Sequence, residues 1–130
     1  MDWGFFNSCI YEFIVNKMKT NWYEELPLAI TVCDTKGKIL YMNQKSAATF
    51  EKYGASNLVG ENVLNCHPEP AKSMLAAMLT DETTNAYTIE KNGIKKMIYQ
   101  TPWYENGIYM GYVELSLVIP MEMKHFQRNP

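Results

Sequence analysis

Cys66 and His67 stand side by side in the stretch VLNCHPEP, residues 63–70, and both are residue types that ligate soft metals. Side chains of adjacent residues diverge, and no second Cys or His pair stands at ligand spacing, so the pair does not read as a zinc centre. His67 is expected to bond a loop carbonyl or cap the helix that follows, with ligand contact as its competing role. Acids and nucleophiles show no catalytic constellation. Glu61, Glu69 and Glu114 are scattered, Ser46 and Ser116 have no assigned base, and the glycines mostly serve turns. Glu114 stands apart because it interrupts an otherwise apolar strand, where its face decides whether it meets a ligand or solvent. With Tyr41 and Tyr99 it supplies the residue types of a proton shuttle, which keeps an alternative open: a small α+β cone enzyme of the isomerase or dehydratase type.

The elements that must position these residues follow from period and punctuation. Tyr11, Ile14, Val15, Met18 and Trp22 recur at helical spacing and predict an amphipathic helix that ends before Pro27. From there the period changes. LAITVCD and KILYMN are short runs rich in apolar and β-branched residues, and the DTKGK between them carries turn chemistry at Asp34 and Gly37, predicting a hairpin. Asn43 stands at the N-cap of a helix that runs from Gln44 to about Tyr53 and closes at Gly54. Ala71, Met74, Leu75, Met78 and Leu79 form another apolar helical face, with Pro70 tolerated in its first turn.

Three strands complete the chain: AYTIEK, IKKMIYQTPWY and IYMGYVELSLVI, joined at Asn92-Gly93 and Asn106-Gly107, the dipeptide favoured where both central turn residues need positive φ. Pro102 fits only where pairing has ended or at a bulge. The order is helix, two strands, short helices, three strands. This is an α+β arrangement, an antiparallel sheet with helices on one face.

Composition narrows the function. The 130 residues, 47% of them apolar, suffice for one core without staples. With 12 basic against 14 acidic residues the formal net charge is -2, which gives no basic field for nucleic acid or an anionic membrane. Three cysteines, Cys9, Cys33 and Cys66, suggest free thiols and a reducing, cytoplasmic compartment. No apolar run reaches membrane-spanning length, and the N-terminal FFNSCIYEFIV lacks the flanks of a signal peptide.

The stretch ELPLAITVCDTKGKILYMNQKSAATFEKYGASNLVGENV resembles a PAS domain. The resemblance lies in Leu26-Pro27, in Asp34 and Gly37 of the first turn, in Ile39 to Asn43, and in Gly54 and Gly60 around a short helix. It continues in GYVELSLVIP and covers roughly Glu24 to Pro120. Residues 1–23 are then an N-terminal amphipathic helix, 24–120 the PAS-like domain and 121–130 a tail. The resemblance implies a five-stranded antiparallel sheet cradling helices, with a small-molecule or cofactor pocket between them, in a non-catalytic sensory or interaction module.

Two cofactors are weighed against the residues. In the family's light-sensing branch a reactive cysteine directly follows a Gly-x-Asn triplet; here Val63 follows Gly60-Glu61-Asn62 and Cys66 comes three positions late, which argues against flavin photochemistry. A haem branch uses a histidine on or near the later helix, and His67, with Phe50, Met74 and Met78 as apolar lining, is the residue for that minor reading. No cofactor and no metal is assigned. The expected ligand is a small molecule of unassigned identity. Its pocket is placed between the helix after Asn43, the helix around Met74 and the strands holding Tyr41 and Tyr99. Its contacts are expected from Tyr41, Asn43, Phe50, His67, Met74, Met78, Tyr99 and Glu114. The N-terminal helix is expected to pair with a second copy, the competing reading being that it covers its own sheet; and because the tail is too short for an output unit, either a signalling protein receives the output or the chain is part of something longer.

Overall fold

The computed structural model describes Ile10, residues 21–51 and residues 58–130. The N-terminal stripe from Tyr11 to Met18 and the helix closure at Tyr53 and Gly54 lie outside the described residues. Trp22, the last residue of that stripe, sits in a turn and is largely exposed.

Strands β1 (Ala29–Asp34) and β2 (Ile39–Met42) form the first hairpin. Its turn is built by Asp34, whose Oδ1 accepts from the backbone N–H of Lys36 and of Lys38, both at 2.9 Å, while Gly37 adopts φ 89°. Helix α1 (Gln44–Glu51) follows at once, then a 3-10 turn (Val63–Cys66) capped by the Asn62 side chain on Leu64 N–H. Helix α2 (Ala71–Asp81) ends on Glu82 in the left-handed conformation. Strands β3 (Asn85–Lys91), β4 (Ile94–Glu105) and β5 (Ile108–Ile119) close the chain as two hairpins, with Asn92, Gly93, Asn106 and Gly107 all at positive φ.

All neighbouring strands are antiparallel, in the order β2-β1-β5-β4-β3. The five-stranded α+β architecture expected from the sequence is the one observed. Pro102 pairs with Tyr112 of β5 but lies beyond Gln100, where the pairing of β4 with β3 has already ended. The register of the β4–β5 hairpin shifts between Trp103 and Tyr104, so that Met110 is an extra residue on β5 and Gly111 faces Trp103.

The core lies between the helices and one face of the sheet. Cys33, Met78, Leu79 and Tyr112 are buried together, with Val63, Leu64 and Tyr109 packed against them. Tyr112 also ties β5 to the end of α2, because its hydroxyl lies 2.5 Å from the Met78 carbonyl and 2.7 Å from that of Thr83. Among the described residues no helix is long and apolar enough to cross a membrane.

Candidate functional site

Two adjoining cavities open between α2, the 3-10 turn and the helix-facing side of the sheet. The larger, of about 340 Å³, is lined by His67, Ala71, Met74, Leu75, Met78, Asn85, Tyr87 and Gln100. The smaller, of about 40 Å³, shares His67, Leu75 and Gln100 with it and continues to Thr31, Phe50, Cys66 and Glu114. Most of this wall is aliphatic or aromatic, and the polar groups gather on the strands.

Register explains that gathering. Thr31 of β1 pairs with Glu114 of β5, Glu114 pairs with Gln100 of β4, and Gln100 pairs with Asn85 of β3, so four polar residues cross the sheet in one row on one face. Three of them are joined. Asn85 Nδ2 donates to Gln100 Oε1 at 3.1 Å, and Gln100 Nε2 donates to Glu114 Oε2 at 2.7 Å. Thr31 instead lies 2.6 Å from the Ser46 hydroxyl, which fastens α1 to β1. Gln100 is buried, and both its amide groups are engaged within this row.

His67 closes the row from the helix side. Its Nδ1 lies 2.8 Å from the Val63 carbonyl, which can only accept, so the proton sits on Nδ1. This is the bond to a loop carbonyl that the sequence led us to expect, and the ring lines both cavities as well. Of the cysteines among the described residues, neither is a poised nucleophile: burial pushes up the Cys33 thiol, with Asp34 and Glu114 adding to it, and burial followed by Glu61 pushes up that of Cys66. Among the described residues no group of His, Cys, Asp and Glu could hold a metal ion.

Of the eight residues expected at the ligand, the structure brings Phe50, His67, Met74, Met78 and Glu114 to the cavity walls. Three are placed differently. Tyr41 pairs with Val32, which alternates with Thr31 and Cys33, so its ring lies on the opposite face of the sheet. There it packs edge-on against Tyr23 and donates to the Glu24 carboxylate; burial and then that bond hold the phenol above its ordinary range. Tyr99 pairs with Ala86 and Leu115, again one position out of phase with Gln100. Asn43 is wholly buried and its side chain is fully engaged. Its Oδ1 accepts from Ile30 N–H at 2.9 Å and Ser46 N–H at 3.0 Å, and its Nδ2 donates to the carbonyls of Tyr23 and Leu28 at 2.9 and 2.8 Å. It caps α1 as expected and, in addition, fastens the start of β1.

The residues that the sequence reading missed are Gln100, Asn85 and Tyr87. A buried-strand pattern in β4 broken by one glutamine was the available signal, of the same kind that singled out Glu114. Tyr87 has its phenol pushed up by burial and then by the charge of Glu114.

No family model matches the sequence, and no curated protein matches it. Solved structures do. The PAS domain of a protein from Colwellia psychrerythraea is 20% identical, over 81% of this chain and 97% of that one, with a TM-score of 0.57. The PAS domain of Bordetella pertussis BvgS is 16% identical, over 80% of this chain and 85% of that one, at 0.56. The sensor region of a sensor histidine kinase is 15% identical, over 69% of this chain, at 0.53, and this chain spans only 38% of it. With the strand order, the paired hairpins and the helix-covered face already described, the conclusion is that this chain has the PAS fold.

Proposed function

We propose that the chain is a cytoplasmic, non-catalytic sensory module that takes a small molecule into the cavity between α2 and the sheet and passes its occupancy to a partner protein. The observation that carries this reading is the larger cavity, with its apolar wall and the polar floor of Asn85 and Gln100, from which Gln100 leads on to Glu114 in the adjoining smaller cavity. The module reading draws further support from the sensor region of a sensor histidine kinase, which shares the fold. Native mass spectrometry of the full chain, purified gently from its own cells, is expected to show a bound small molecule that is lost on denaturation. Met74→Trp, which adds an indole at the cavity rim, is expected to abolish that adduct while leaving the circular dichroism spectrum unchanged. An adduct that survives this substitution in a folded protein places the ligand elsewhere.

The enzyme reading has less to stand on. Glu114 meets an amide rather than a second acid, Tyr41 and Tyr99 lie on the far face, and the Tyr87 phenol is pushed up rather than down.

The same proposal includes a homodimer held by the N-terminal segment. The stripe of Tyr11, Ile14, Val15, Met18 and Trp22 needs cover, and the face of the sheet away from α2 offers Ile30, Val32, Met97, Val113, Leu115 and Leu117, each half-buried. Sedimentation equilibrium is expected to give a dimer for the intact chain and a folded monomer once residues 1–20 are removed. A monomeric intact chain well above micromolar concentration overturns it.

A further inference from the structure

From the acceptors on the floor of the two adjoining cavities, we infer that the ligand is a cation: an aromatic or aliphatic body in the larger cavity carrying an ammonium group that reaches past Gln100 to Glu114 in the smaller. This rests on the small-molecule reading of the cavity and goes on to assign its charge. The polar groups of the floor are unequal. Gln100 donates from Nε2 to Glu114 and accepts at Oε1 from Asn85, so it is a strut within the row. Among the described residues, the Glu114 carboxylate receives only that one amide donor, although when ionised it has roughly four lone-pair sites.

Oε1 of this half-buried carboxylate accepts from no described residue and is not sealed off, so it stands open to a donor, above all a charged one. Among the described residues neither cavity is lined by lysine or arginine, so the protein does not supply that partner itself. His67 adds to the same preference. The Nδ1 bond to the Val63 carbonyl selects the tautomer whose neutral form presents an acceptor at Nε2. A carboxylate ligand would meet Glu114 in a poorly screened setting, whereas an ammonium offers several N–H donors and a positive charge. The apolar side chains of Phe50, Leu75 and Met78 accept the rest of such a molecule.

The test is a matched series on the intact, isotope-labelled chain, followed by nuclear magnetic resonance and calorimetric titration. The probes are tryptamine, tryptophol and indole-3-propionate, with phenethylamine, 2-phenylethanol and 3-phenylpropionate as the one-ring set. The amine of at least one set is expected to bind about tenfold tighter than its alcohol, since a charge-assisted hydrogen bond is worth roughly twice a neutral one. The carboxylate is expected to bind more weakly still. Glu114→Gln keeps an acceptor for Gln100 and removes the charge, and it should reduce the preference of amine over alcohol to about twofold or less. An alcohol or carboxylate that binds as tightly as its amine overturns the charge assignment and leaves the small-molecule reading standing. If no member of either set shifts the resonances of the cavity residues, the assignment and the reading fail together. Should Glu114→Gln not fold, the unsubstituted chain's ranking of amine, alcohol and carboxylate decides alone.

Discussion

Gly111→Ala is expected to lower the stability of the fold sharply. Gly111 has φ 142°, a conformation that L side chains rarely adopt, and a Cβ built there would lie 1.9 Å from the Cys33 carbonyl oxygen and 2.8 Å from Asp34 Cα. Both obstacles are backbone atoms of a paired central strand, so neither can swing aside as a flexible side chain would. Relief requires β1 to move away from β5, which loosens the pairing around Cys33–Tyr112 and the bond from Trp103 Nε1 to the Cys33 carbonyl. Overpacking of this kind costs about 1–3 kcal/mol and backbone strain adds a similar amount, together a large part of the roughly 5–15 kcal/mol that holds an average domain together. Urea denaturation followed by circular dichroism checks it. A midpoint close to that of the unsubstituted chain would show that β1 and β5 part there at little cost.

The second large effect is expected at Asn43. Substitution by alanine leaves Ile30 N–H, Ser46 N–H and the carbonyls of Tyr23 and Leu28 without the partner they share. Loss of a helix cap costs about 1 kcal/mol, and the three other groups, only part-buried, about 1 kcal/mol each at the low end of the penalty for an unsatisfied group, so a destabilisation of about 4 kcal/mol is expected. A second substitution, Asn43→Asp, discriminates further. It preserves both bonds to Oδ1 yet turns an oxygen toward the Tyr23 and Leu28 carbonyls, so it should fall at least as far as the alanine variant, although aspartate is a good cap elsewhere. A thermal melt of the two variants settles the order; rescue by aspartate would mean that capping alone matters at this position.

How much of this was legible in the sequence depended on whether a signal was local. The Asn-Gly turns, the Asp34 turn and the Asn43 cap announce themselves within a few residues, and the strands and helices between them were found where expected. The assignment of faces was not local. Continued without interruption from Glu105–Ile108 and Tyr104–Tyr109, the β4–β5 register would set Tyr99 opposite Glu114 and place both on one side. The extra residue at Met110 moves Glu114 onto Gln100 and sends Tyr99 to the far face. A bulge between Val32 and Cys33 likewise shifts the β1–β2 register, and Tyr41 comes to lie opposite Val32. One inserted residue per hairpin thus decides which side chains meet a ligand. Gly111 beside the first bulge was the only hint, and it reads equally well as an ordinary strand glycine.

The strand order carries a consequence for how the chain is made. β1 is joined only to β2 and β5, with Ala29 opposite Ser116, and β5 is the last strand to be synthesised. Until β5 has left the ribosome, the first hairpin has one edge waiting and the hairpin of β3 and β4 is not connected to it at all. Neither half can complete its side of the core, because Cys33 and Tyr112 belong to the same cluster. Pairings so distant in sequence form slowly and expose strand edges meanwhile. Folding of this domain therefore awaits its final strand, and a nascent chain halted before Gly111 is the species on which chaperones would have to act.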